Sequence, residues 1–199
     1  VKCGTKCFDW NIPPEWNINE AWIKDKSGRK IIDFSKNNLH ILGYSSPVNQ
    51  VMSYYELKNH LYTLPDQPDL IPYLTSYYER QWGFCLSHNQ MKVMNKKEDY
   101  KVFIDSDFNE NGSMTYADLV IPGETKDEIL ISTYFCHPSM ANNELSGPLV
   151  TAMISNEVRK IKNRRYTYRF VYVPETIGSI FYLSKYGNHL KKYVKAGFV

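Results

Sequence analysis

The chain lacks any apolar run near the ~20 residues that cross a bilayer as a helix. Its most apolar stretch, Ile129 to Phe135, is broken by Ser132 and Thr133. It also lacks a charge bias: 24 Lys+Arg against 21 Asp+Glu leave a formal net charge of +3. That is too little to point to nucleic acid or an anionic membrane as partner. Cysteine is scarce, with Cys3, Cys7, Cys85 and Cys136 in 199 residues. Such usage excludes a disulfide scaffold, and Cys3 and Cys7 have no second pair with which to complete a zinc knuckle. Reduced thiols and a cytoplasmic setting are the expectation, and no signal-peptide pattern opens the chain. Glycine and proline number ten each, which excludes collagen-like and disordered chains. No internal repeat and no low-complexity tract is visible.

What is present is an ordinary globular mixture, 43% hydrophobic and 23% charged, long enough to bury a real core. Tyrosine stands out, at 16 residues. Tyrosine suits half-buried strands, and it also serves as a stacking platform beside a ligand.

Short strands and turns are expected from Lys30 onward: Lys30 to Phe34, then Leu39 to Leu42 running into Gly43. Ser53 to Tyr62 has a helical look. The passage from Leu64 to Tyr73 carries Pro65, Pro68 and Pro72, which excludes a regular helix or central strand. Tyr77, Tyr78, Trp82 and Phe84 follow closely. Tyr100 to Asp105 reads as a strand, Asn111-Gly112 as a turn, and Ser113 to Ile121 as the returning strand.

Glu128 to Phe135 and Tyr168 to Val173 read as strands buried on both faces. Between them Pro148 to Ile161 has helical spacing, with Ser146 placed as its cap. Thr176 to Tyr186 reads as a second helix, ended at Gly187. This order is a βαβ unit, so the two strands are expected to be parallel neighbours in an α/β sheet. Val1 is not a start methionine, and Lys195 to Val199 reads as the opening of a strand. The chain is therefore expected to be an internal piece of a longer protein.

Open α/β sheets bind ligands beyond the carboxyl ends of their strands. Two segments lie there: Cys136 to Pro148, with His137, Asn143 and Glu144, and Val173 to Ser179, with Glu175. One imidazole and two carboxylates converging on an edge suit zinc. A zinc ion acidifies its bound water to a pKa of about 7, and a neighbouring carboxylate serves as general base. Each residue also has a plain structural reading: a hydrogen-bonded histidine, and glutamates beside a helix start. Cys136 reads as a packing residue at a strand end. The G-x-S-x-G nucleophile elbow is absent.

The string STYFCHPSMANNELSGPLV (Ser132 to Val150) resembles the aminopeptidase-like proteins of the co-catalytic zinc exopeptidase clan. There a strand delivers a His ligand, and a loop of the form A-N-D-N-x-S-G delivers an Asp that bridges two zinc ions. The next strand ends in a Glu-containing turn, where this chain has VPETIGSI (Val173 to Ile180). The strings CGTKCFDWNIPPEW, LHILGYSSPV, PDLIPYLTSYYERQWGFCLS and RYTYRFVYVPETIGS resemble a bacterial and archaeal aminopeptidase-like family with a β-rich insert of unknown function.

The resemblance implies a three-layer α/β core, with a mixed, largely parallel sheet and helices on both faces. Residues 1–30 and 96–199 would form the core, and 31–95 the small inserted β-rich subdomain. It implies a zinc-dependent hydrolase, with one or two ions, acting on a small peptide or other amide through a metal-bound hydroxide. Metal ligands would be drawn from His137, Asn143, Glu144 and Glu175, with Glu175 also the candidate catalytic base. Tyr77 and Tyr78 are the candidate substrate contacts. The aromatic segment Pro65 to Phe84 is read as a substrate wall or as the insert's own core. The resemblance also implies a cis bond between Asn143 and Glu144.

Two departures stand against it. Asn143 occupies the bridging Asp position, and a neutral amide bridges two dications poorly. Pro174-Glu175 stands where the clan has a Glu pair. The alternative is a non-catalytic protein of the same fold that binds a glycan or a peptide.

Overall fold

The computed structural model describes residues 1–137 and 140–199. Its strands are β1 (Lys6–Cys7), β2 (Trp10–Asn11), β3 (Glu15–Lys24), β4 (Lys30–Asp33), β5 (Val48–Ser53), β6 (Leu61–Tyr62), β7 (Phe84–Cys85), β8 (Asp99–Asn109), β9 (Ala117–Ile121), β10 (Glu128–Tyr134), β11 (Thr167–Val173) and β12 (Val194–Phe198). Its helices are α1 (Tyr54–Leu57), α2 (His88–Lys92), α3 (Ser146–Lys160) and α4 (Ile177–Tyr193). The chain divides into two compact units, residues 15–109 and residues 1–14 with 110–199.

The 15–109 unit is built on an antiparallel sheet in the order β4-β3-β8-β5. Strands β3 and β8 pair from Glu15 opposite Asn109 to Lys24 opposite Lys101. This long ladder keeps both strands in one unit, so its limits lie outside the expected 31 and 95. Ala21, Ile23, Val102 and Ile104 face inward and meet Tyr54, Leu57, Phe84 and Leu86. The expected strand at Leu39 to Leu42 is instead a 3-10 turn over Asn38–His40, because the Asn37 side chain accepts from the Leu39 N–H and starts it. The helical look of Ser53 to Tyr62 resolves into α1, a 3-10 turn and β6. A reciprocal cap between Ser53 and Glu56 begins α1.

The second unit contains a sheet in the order β12-β10-β11-β9. As expected, β10 and β11 run parallel, Glu128 beside Thr167 and Tyr134 beside Val173, with α3 between them in sequence. The expected hairpin about Asn111-Gly112 does not form. Strand β9 pairs antiparallel with β11, while β8 belongs to the other sheet. A turn signal is local, whereas a strand's partner is chosen by the surface it buries.

Along β11 successive side chains take opposite sides. Phe170 packs with Val158 of α3, and Val171 and Val173 with Tyr182 and Leu190 of α4. Helix α4 runs through Gly187, its expected end, to Tyr193. A mid-helix glycine costs about 1 kcal/mol, which burial of Leu190 one turn further on outweighs. Beneath α4 the Arg169 guanidinium is paired with Glu128 through two contacts, Nε to Oε2 at 2.7 Å and an NH2 nitrogen to Oε1 at 3.1 Å.

Candidate metal centre

Parallel strands β10 and β11 end together, and the Phe135 N–H still donates to the Val173 carbonyl at 3.1 Å. The segments that leave them therefore emerge at one sheet edge. Cys136 and His137 leave β10, and Pro174 and Glu175 leave β11. The turn before α3 returns Glu144 to the same place. Pro138 and Ser139 of the motif lie outside the described residues.

Glu144 holds His137 directly. Its Oε1 lies 2.5 Å from His137 Nδ1, and its Oε2 accepts from the Cys136 backbone N–H. On the other side of the ring His137 Nε2 lies 3.3 Å from Glu175 Oε2. The His137 and Glu144 side chains are 11% and 8% exposed, and that of Glu175 is 51% exposed. The imidazole is thus bracketed by two carboxylates, and the convergence of His137, Glu144 and Glu175 expected from strand order is present.

Asn143 is exposed and lines, with Glu144, Thr133 and Pro148, an adjoining cavity of about 400 Å³. The expected cis bond between Asn143 and Glu144 is absent; no cis peptide occurs among the described residues. The chain turns instead through a positive φ of 71° at Glu144. Ser146 is also not the cap. It is the first residue of α3, and its hydroxyl donates to the Asn142 carbonyl at 3.1 Å.

Sequence reading missed Cys136. It is exposed rather than packed, and its Sγ lies 3.4 Å from His137 Nδ1 and 3.8 Å from Glu144 Oε1. The Glu175 backbone N–H donates to that sulfur at 3.2 Å. Desolvation pushes the thiol up to about 12, and the Glu144 and Glu175 carboxylates add to the shift against the Glu175 amide. The available signal was adjacency, a sulfur next to a candidate histidine ligand.

Backbone strain gathers here. Of five non-glycine residues with positive φ among those described, Glu144 belongs to this cluster and Ala141 and Thr176 stand close to it in sequence. A β-branched residue such as Thr176 is a steric outlier at φ 57°. Such conformations cost about 1–3 kcal/mol each and concentrate at functional sites.

The remaining histidines have structural partners. His40 meets the Cys85 carbonyl, His60 that of Trp82, His88 the Thr63 hydroxyl, and His189 the Glu128 carboxylate. In the 15–109 unit Tyr77 is half-buried, edge-on to Tyr44, and Tyr78 is 61% exposed. There Phe84 is buried, and Trp82 stacks on His60 at 3.6 Å.

A family model described as a domain of unknown function, DUF4910, matches residues 1–199. A Clostridium acetobutylicum protein named for polysaccharide biosynthesis and an aminopeptidase-like domain is 49% identical over 199 residues, 100% of this chain and 45% of its own. The chain thus spans about half the length of that curated relative. A crystal structure named as a peptidase, also from Clostridium acetobutylicum, aligns with TM-score 0.87 at 48% identity, over 99% of this chain and 46% of that one. The zinc aminopeptidase of Bacillus subtilis aligns with TM-score 0.58 at 11% identity, over 92% of this chain and 58% of that one, a likeness of fold alone.

Proposed function

The chain belongs to the DUF4910 family, and from that membership and the His137 cluster we propose a zinc-dependent, aminopeptidase-like hydrolase acting on a small peptide or other amide. The observation that carries the reading is the bracketing of His137 by Glu144 and Glu175 at the carboxyl edge of the parallel strand pair. The aminopeptidase-like relative and the fold shared with a zinc aminopeptidase support it.

The donors fit zinc: imidazole nitrogen and carboxylate oxygen are its ordinary ligands. His137 and Glu144 would hold the ion. When bound, zinc supplies Lewis-acid polarisation of the scissile carbonyl and acidifies a water to near neutrality. Glu175, the more exposed carboxylate, takes the proton of the attacking water and returns it to the leaving amine. Within the 15–109 unit, the exposed ring of Tyr78 is the proposed aromatic contact. The accompanying architecture is a three-layer core with helices on both sheet faces and residues 31–95 inside an inserted β-rich subdomain, in a cytoplasmic protein.

One observation favours a second reading, a non-catalytic protein of this fold that binds a glycan or a peptide. Asn143, at the bridging position of the resembled loop, carries an amide and is exposed. A panel of aminoacyl anilides, assayed on the protein at its natural length, separates the two. Hydrolysis abolished by chelation, restored by zinc and lost in Glu175→Gln supports the enzyme. Absence of hydrolysis from zinc-loaded protein overturns it.

A further inference from the structure

Three side chains of different chemistry meet in this cleft: the thiol of Cys136, the imidazole of His137 and the carboxylate of Glu144. One donor atom from each lies within 4.8 Å of the others. Two ligands at 2.0 and 2.3 Å from a tetrahedral centre stand roughly 3.5 Å apart. Cys136 Sγ lies 3.4 Å from His137 Nδ1, 3.7 Å from Nε2 and 3.8 Å from Glu144 Oε1. The sulfur therefore already stands at ligand-to-ligand distance from both other donors. The closer Glu144–His137 contact of 2.5 Å is a hydrogen bond that would open to admit an ion.

Charge points the same way. A thiolate and one carboxylate balance a single divalent cation, with the imidazole neutral. Glu175, the more exposed carboxylate, is left to act as base, and Asn143, at the bridging position of the resembled loop, supplies only an amide for a second dication. The Glu175 N–H that donates to Cys136 Sγ fixes the sulfur in place and remains available to a thiolate.

We infer that Cys136 is a metal ligand, and that the site is a mononuclear Cys-His-Glu zinc centre rather than a dinuclear carboxylate-bridged one. This rests on the metal reading given above. On binding, the Cys136 S–H proton leaves to solvent and the S–Zn bond replaces it, with no change of oxidation state. A soft sulfur donor selects zinc or cobalt over magnesium, manganese and calcium.

The test is spectroscopic and uses the protein at its natural length, stripped of metal and reloaded with one equivalent of Co(II). A sulfur-to-cobalt charge-transfer band in the near ultraviolet is expected. It should vanish in Cys136→Ser, and zinc affinity should fall there by at least about 10-fold, the lower end of what loss of an outer-shell partner causes. X-ray absorption at the zinc edge of unmutated protein gives an answer that does not depend on the variant folding. One sulfur scatterer at about 2.3 Å is expected. Bound metal with nitrogen and oxygen neighbours only would overturn the Cys136 assignment and leave the zinc hydrolase standing. Two bound ions per chain would overturn the mononuclear centre. Protein that takes up neither metal would overturn both readings.

Discussion

Gly178, in the first turn of α4, presses against Pro174: a Cβ there would lie 2.6 Å from the proline Cδ and 2.8 Å from Val173 Cβ. Replacing a helical glycine by alanine ordinarily stabilises by about 1 kcal/mol. Here the neighbours are a proline ring and a Cβ atom, neither of which can rotate away. Gly178→Ala is therefore expected to destabilise by about 1–3 kcal/mol. Because Pro174 precedes Glu175, it should also lower amide hydrolysis. Urea unfolding and the anilide assay check both, and a stability gain would show that α4 does not sit this close.

The pair of Arg169 and Glu128 gives a prediction with a pH sign. Burial alone would raise the Glu128 carboxyl, but hydrogen bonds from Arg169 and His189 outweigh it and hold it below its ordinary value. A depressed carboxylate contributes stability that is present above its unfolded value, about 4.3, and lost as pH falls through its folded one. The melting temperature should fall below about pH 4.3, more steeply than in Glu128→Gln. Arg169→Met leaves the buried Glu128 carboxylate with His189 as its remaining partner, with an expected loss of up to about 3 kcal/mol at neutral pH.

Thr176 tests whether strain is held at the site. At φ 57° and ψ −68° it starts α4 without a side-chain cap. Thr176→Gly should stabilise by up to about 2 kcal/mol, the strain released less the added glycine entropy. If the strained turn aims Glu175, kcat should fall as stability rises. Calorimetry beside kinetics measures the trade.

Tyr78 tests the aromatic surface. Its ring is 61% exposed, so Tyr78→Ala should change stability by no more than about 0.5 kcal/mol. A rise in KM with unchanged kcat is the expected kinetic result, and an unchanged KM would remove Tyr78 from the substrate contacts.

The βαβ unit was legible in the sequence because β10 and β11 are short apolar runs between turn signals, separated by a helix of 3.6-residue period. Strand order then placed His137 and Glu175 on one edge. The partner of β9 was not legible, since Asn111-Gly112 signals a turn without saying which strand lies beyond it. The limits of the 15–109 unit were hidden for the same reason: nothing in β3 or β8 alone shows that they pair with each other. The role of Cys136 was obscured because an apolar thiol after a buried strand reads as packing. Only the fold of the 140–145 turn brings Glu144 back beside it.

Metal content measures the central claim most directly. The protein at its natural length, purified without added metal, should carry one zinc ion per chain. A chelator should remove it together with amide hydrolysis, and zinc should restore both. Protein that carries no zinc, acquires none at micromolar concentration and still binds a glycan or peptide would contradict the account.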